Sequence, residues 1–156
     1  MIPVLNSKRK VIWDLSMLQY YLPEDVHLPF SKYPIFPLKL QDAYTVYENS
    51  TYKEYISIEY ITDRIIKGTS AGIYVDNELV SWSITQDDGA IGFLHTLSNY
   101  RKKGYGYNVV LSMIEKLKNE GELSFAYIEA ENKNSINLFS KLGFKKIKNI
   151  HWFEVE

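Results

Sequence analysis

The residues with the most chemical content run Leu94-His95-Thr96-Leu97-Ser98-Asn99-Tyr100-Arg101-Lys102-Lys103-Gly104-Tyr105-Gly106-Tyr107. The pattern reads as the end of a strand, three consecutive basic residues, and a Gly-x-Gly that opens a helix. Glycines let a backbone turn sharply and bring its N–H groups close to a ligand. Free N–H groups at a helix N-terminus, at the positive end of its dipole, favour a phosphate or pyrophosphate. Arg101, Lys102 and Lys103 add charge to that corner. A solvated basic turn explains the same residues, and Gly-x-Gly alone does not separate the two. Two other anion motifs are absent. No Gly-Lys-Ser/Thr follows the glycines, as a P-loop requires, and Val109 stands where a dinucleotide fingerprint needs its third glycine. A phosphate-bearing ligand of another kind is left.

The elements that must position this stretch follow from pattern. Residues Pro34–Leu40 are expected to form a short strand, followed by a helix from Gln41. Ser57 is the N-cap of a second helix with Ile58, Ile61 and Ile65 on one face and Gly68 at its end. A hairpin follows, with strands at Ala71–Val75 and Leu79–Thr85 about an Asp76-Asn77 turn. Its second strand alternates Leu79, Ser81 and Ser83 with Val80, Trp82 and Ile84, so one apolar face is expected. Asp87-Asp88-Gly89 turns into a third strand at Ala90–Thr96. The helix from Gly106 to Asn119 carries Val109, Val110, Met113, Ile114 and Leu117 as a stripe, closed by Gly121. Ser124–Ala130 reads as a largely buried strand, Ser135–Leu142 as a short helix, and Lys145–Val155 as one or two strands. All five prolines precede residue 40, so the first third is expected to be irregular or edge structure. The order predicts a mixed α/β domain with helices packed on a central, mostly antiparallel sheet.

Composition narrows the function classes. The chain has 156 residues, suited to one domain, and its formal net charge of −1 argues against a dedicated nucleic-acid binder. The absence of cysteine removes disulfides, thiolate metal sites and a Cys nucleophile. His27 and His151 are isolated, so no metal is expected. No apolar run is long enough for a membrane helix and no signal-peptide core is visible, so the expectation is a cytoplasmic protein without membrane association.

Two segments together resemble a known family. Arg101-Lys102-Lys103-Gly104-Tyr105-Gly106 is similar to the Gln/Arg-x-x-Gly-x-Gly/Ala signature of the GNAT superfamily of N-acetyltransferases. The run Asn132-Lys133-Asn134-Ser135-Ile136-Asn137-Leu138-Phe139-Ser140-Lys141-Leu142-Gly143-Phe144 resembles that family's second cofactor motif, at the right separation. Gly89-Ala90-Ile91-Gly92-Phe93-Leu94-His95-Thr96-Leu97, with Tyr100-Arg101, looks closest to the glycine N-acyltransferase-like branch. The resemblance covers about residues 33–150, leaving 1–32 as an N-terminal extension and 33–156 as the acyltransferase domain. It implies the GNAT fold, with the strands at Ala90–Thr96 and Ser124–Ala130 splayed around the pantetheine arm of acyl-CoA. Backbone groups of Leu94, His95 and Thr96 would bind that arm. The N–H groups of Arg101, Lys102, Lys103, Gly104, Tyr105, Gly106 and Tyr107 would hold the pyrophosphate. Asn132 and Ser135 would face the pantetheine or sulfur end, with helix capping as their alternative role, and Phe139 would pack beside the cofactor or simply in the core.

The family's usual catalytic groups are missing. Ala90 and Gly92 stand where a Glu or His base is common, and Phe139 where a Tyr acid is common. His95 is the candidate base, since an ordinary imidazole titrates in the right range; a structural role is its alternative. Asp87 and Asp88 could act through water, although turn formation explains them. Tyr105 and Tyr107 could donate a proton, with packing as the alternative. By the same resemblance Tyr44, Tyr47, Tyr52 and Tyr55 would shape an acceptor pocket, with exposed or half-buried packing as their alternative, and Trp82, Phe93 and Trp152 are expected to fill the core. The expected activity is an acyl-CoA-dependent N-acyltransferase, an enzyme transferring acyl groups other than aminoacyl groups. It would move an acetyl group from acetyl-CoA directly to a small amine or amino acid, as a monomer or homodimer. The alternatives are a non-catalytic acyl-CoA sensor and a protein-lysine acetyltransferase, with a nucleic-acid module behind both.

Overall fold

A computed structural model of the chain describes the backbone of residues 11–155 and the side chains of residues 16–150. Two compact units emerge, one formed by residues 27–124 and one by residues 1–26 with 125–156. The 27–124 unit holds helix α1 (Ala43–Glu48), helix α2 (Ile58–Lys67), strands β2 (Ser70–Val75), β3 (Glu78–Thr85) and β4 (Ile91–Thr96), and helix α3 (Tyr105–Asn119). The other unit holds strands β1 (Val11–Tyr21), β5 (Phe125–Glu129) and β6 (Lys145–Val155), and helix α4 (Lys133–Lys141). The sheets, ordered β2-β3-β4 and β5-β1-β6, are antiparallel throughout, giving the mixed α/β architecture expected.

In the 27–124 unit the local signals hold. Ser57 caps α2 by accepting from the Tyr60 N–H. Asp76 and Asn77 both take positive φ, as a two-residue hairpin turn requires. Two expectations need correction. Residues 34–40 form no strand; their only ladder contact is an isolated antiparallel bridge from Phe36 to Gly72 on the outer edge of β2. With Pro34 and Pro37 on either side of Phe36, the segment can donate little more. The one-sided burial expected of β3 is also absent, since every residue from Leu79 to Thr85 is buried. Leu79, Trp82 and Ile84 join Leu38, Ala43, Val46 and Ile61 in the core beside α1 and α2. Ser81 and Ser83 are buried too. Their hydroxyls stay bonded, Ser81 to Thr96 Oγ1 at 2.8 Å and Ser83 to the Gly92 carbonyl at 2.8 Å, which removes the penalty for burying them.

The turn from α2 into β2 depends on a close approach. The buried Arg64 guanidinium donates to the Thr85 carbonyl at 3.0 Å and to Thr85 Oγ1 at 3.3 Å. A Cβ at Gly68 would run into Arg64 Nη2, Thr85 Oγ1 and, at 2.8 Å, the Arg64 carbonyl oxygen. Gly68→Ala is therefore expected to destabilise the protein by about 1–3 kcal/mol. Urea unfolding reads this as a lower midpoint, and an unchanged midpoint would contradict the clamp.

The 1–26/125–156 unit overturns the expectation of irregular or edge structure near the N-terminus. Val11–Tyr21 is the middle strand of its sheet, paired with β5 on one side and with β6 from end to end on the other, apart from a register shift that skips Ile147. The eleven-residue strand lies between Pro3 and Pro23, where nothing interrupts a ladder. β5 alternates between half-buried and buried residues, with Ala126 and Ile128 inside, and the tail is one strand. Phe139 is buried edge-to-face on Phe144 at 4.9 Å. The side chains of His151 and Trp152 lie outside the described residues, as does any structure of residues 1–10. Among the described residues no helix is long and apolar enough to cross a membrane.

Candidate acyl-CoA site

Strand β4 ends the β2-β3-β4 sheet, so its outer edge carries backbone groups without a strand partner in that sheet. It is also bulged. Trp82 faces His95 and Ile84 faces Gly92, so two steps on β3 meet three on β4. The extra residue is accommodated at Phe93, whose φ is +54°. A bulky residue in that left-handed region costs on the order of 1–3 kcal/mol, strain that persists where surrounding structure demands it. Bulges of this kind re-aim side chains and end pairing beside active sites. Here Phe93 packs on Tyr60 with ring centroids 6.2 Å apart, and His95 lies over the buried Trp82 at 5.2 Å.

His95 is half-buried, and its pKa is lowered from the ordinary imidazole value, first by burial and then by the nearby Arg101 charge. It is therefore a neutral imidazole at neutral pH. Arg101 donates from Nε to the Thr96 carbonyl at 2.9 Å, tying the first basic residue back to the strand end.

The loop that follows is built to present N–H groups. Lys102 and Gly104 take left-handed conformations, φ +63° and +82°, and Gly104 is the N-cap of α3. Residues 101–104 are exposed. Among the described residues the N–H groups of Gly104, Tyr105 and Gly106 carry no hydrogen bond. No carboxylate occurs between Leu94 and Tyr107, while Arg101, Lys102 and Lys103 supply three cations. That donor set suits a polyanion, so the pyrophosphate of acyl-CoA fits it. Two contacts reach the loop from outside the motif. The Tyr33 hydroxyl donates to the Lys103 carbonyl at 2.9 Å, and the buried Asn108 donates from Nδ2 to the Gly104 carbonyl at 2.8 Å.

Other predicted residues fall as follows. Leu94, His95 and Thr96 are half-buried on the bulged edge strand. Tyr105 is pinned between rings, edge-on to Tyr33 at 4.9 Å and stacked with Tyr100 at 6.4 Å, as its packing alternative requires. Asp88 accepts from the Ala90 N–H at 3.0 Å, which is turn work, whereas Asp87 accepts from the Tyr60 hydroxyl at 3.3 Å. Burial pushes the Tyr60 phenol up. Tyr47 packs against the core, while Tyr44 and Tyr55 are exposed. In the other unit, Asn132 Oδ1 accepts from the Ser135 N–H at 3.1 Å, so this pair forms a helix cap. Among the described residues no group of three potential metal ligands occurs.

Residues 70–153, more than half of the chain, match the family described as FR47-like protein. The chain belongs to the FR47-like family. Solved structures show the fold of this member. A Drosophila protein, 22% identical, has a TM-score of 0.85, covering 97% of this chain and 54% of its own. A GCN5-related N-acetyltransferase from Sphaerobacter thermophilus, 11% identical, has a TM-score of 0.73, covering 99% of this chain and 55% of its own. A PaiA N-acetyltransferase from Thermoplasma acidophilum, solved in complex with coenzyme A, is 20% identical with a TM-score of 0.59, over 72% of this chain and 89% of its own. The FR47-like chain thus has the GNAT fold and spans little more than half the length of the first two. No curated protein matches its sequence.

Proposed function

We propose that this FR47-like protein is an acyl-CoA-dependent N-acyltransferase, of the glycine N-acyltransferase-like branch, that acetylates a small amine or amino acid by direct transfer. The observation that carries the reading is the continuity of a bulged edge strand, bearing a neutral imidazole, with a cationic loop whose Gly104, Tyr105 and Gly106 N–H groups carry no hydrogen bond. When bound, acyl-CoA supplies the thioester that the amine attacks. Backbone groups of Leu94, His95 and Thr96 on the open edge bind the ligand's amide-bearing arm, as an added strand is bound. The N–H groups of the 101–107 loop and its three cations hold the pyrophosphate. His95 takes the proton that the amine loses, and its half-buried ring on Trp82 fixes where that proton goes.

A non-catalytic acyl-CoA sensor is the second reading, favoured by two observations. Ala90, at the common base position, is fully buried, and Phe139, at the common acid position, packs on Phe144 with no hydroxyl to offer. Release of free thiol from acetyl-CoA, followed across a panel of amines and amino acids, separates the two. The acyltransferase reading expects thiol release that depends on at least one acceptor. Tight binding with release no faster than buffer for every acceptor supports the sensor instead.

A further inference from the structure

The loop that presents these N–H groups is held by two residues that lie outside its motif. Lys103 and Gly104 each belong to a peptide plane in which the carbonyl and the next N–H point in opposite directions. Fixing the carbonyl therefore aims the N–H. The Tyr33 hydroxyl holds the Lys103 carbonyl at 2.9 Å, which turns the Gly104 N–H away from Tyr33. Asn108 holds the Gly104 carbonyl twice, through Nδ2 at 2.8 Å and through its own backbone N–H at 3.1 Å, and so aims the Tyr105 N–H outward. The same Asn108 side chain accepts from the Lys32 N–H at 2.9 Å, joining the 32–33 segment to the loop a second time.

Three further features support a part for these bonds beside the ring packing of Tyr105. Asn108 is 3% exposed, a polar side chain on the buried stripe of α3, and its oxygen and its amide nitrogen are both engaged. An open cavity of about 400 Å³ is lined by Phe30, Tyr33 and Ile35 of the segment together with Ser112 and Lys116 of α3. The loop itself needs outside support, because Lys102 adopts a left-handed conformation that a non-glycine residue resists.

We propose that Tyr33 and Asn108 are positioning residues for acyl-CoA, holding the Lys103 and Gly104 carbonyls so that the Gly104 and Tyr105 N–H groups meet the pyrophosphate. This rests on the acyl-CoA reading above. It also gives the proline-rich segment before α1 a part in ligand binding that its sequence does not announce. Because the tethers preorganise the receptor, their loss should weaken binding without unfolding the protein.

The test is titration calorimetry of CoA, and of dephospho-CoA, into the wild type, Tyr33→Phe, Asn108→Ala and Asn108→Ser, with the melting temperature of each ligand-free protein. Tyr33→Phe keeps the ring against Tyr105 and removes only the hydroxyl. It is expected to bind both ligands about three- to tenfold more weakly, with a melting temperature within about 2 °C of wild type. Asn108→Ala is expected to lose more, and Asn108→Ser to recover part of the loss, since a serine hydroxyl can still donate to the carbonyl four residues back. Wild-type affinity in Tyr33→Phe, or a serine variant no better than the alanine one, would overturn the assignment while leaving the acyl-CoA reading standing. A loss seen with CoA but not with dephospho-CoA would also overturn it, because the hydroxyl would then serve the 3′-phosphate. Absence of binding to the wild type would overturn the acyl-CoA reading itself and this assignment with it.

Discussion

Replacing His95 by glutamine is expected to lower kcat for acetyl transfer by about 10²–10³, with KM for acetyl-CoA changed by less than about twofold. Glutamine approximates the imidazole's bulk over Trp82 and can still hydrogen-bond, but it cannot take a proton near neutral pH. The wild-type pH profile follows from the environment of the ring. Burial and the Arg101 charge both disfavour the imidazolium, so the folded-state pKa lies below the ordinary 6.5. The acid limb of kcat/KM should therefore fall below the usual histidine range and vanish in the glutamine variant. Replacing Arg101 by glutamine should move that limb upward, because one of the two causes of the shift is removed. Stability carries the same sign. The unfolded chain protonates His95 first as pH falls, so the folded state loses stability from about pH 6.5 downward and not above it. A His95→Gln enzyme with kcat within threefold of wild type would leave catalysis to proximity alone.

Gly104→Glu is expected to abolish measurable CoA binding, a loss of at least about a hundredfold in affinity, combining two effects of different size. The backbone effect is modest. The position has φ +82°, which a side chain resists by about 1 kcal/mol, yet a Cβ there meets nothing nearer than Asn108 Nδ2 at 3.7 Å. The charge effect dominates, because the new carboxylate sits among the free N–H groups and cations and competes with the pyrophosphate for them. Gly104→Ala isolates the first effect and should cost less than about tenfold. Thermal shift with CoA reads both. A glutamate variant that still gains stability from CoA at wild-type concentrations would place the polyanion elsewhere.

How much of this was legible in the sequence depends on whether a feature is local. The Ser57 cap, the Asp76-Asn77 turn and the stripe on α3 are written in neighbouring residues, and all three are present. The cationic loop was legible for the same reason. β1 was not. Val11–Tyr21 alternates imperfectly, with Asp14, Ser16 and Gln19 among its apolar residues, and its partners lie more than a hundred residues away. Its content of β-branched and aromatic residues, uninterrupted by proline, was the signal that prolines elsewhere obscured. The bulge at Phe93 left no mark either, because glycine is what usually announces a positive φ. Ser81 and Ser83 marked a polar face that the structure buries by bonding their hydroxyls to Thr96 Oγ1 and the Gly92 carbonyl of β4. Asn108 carries a signal in the sequence, a lone amide beside Val109 and Val110 on a core stripe. Tyr33 carried none, since its carbonyl partner is seventy residues on.

The 101–107 loop is expected to receive the pyrophosphate of an acyl-CoA beside His95. A crystal structure of the protein grown with desulfo-CoA tests it most directly, because that analogue cannot react. Pyrophosphate oxygens are expected within hydrogen-bonding distance of the Gly104 and Tyr105 N–H groups, with the pantetheine arm along the open edge of β4. Desulfo-CoA bound with its pyrophosphate away from this loop would contradict it.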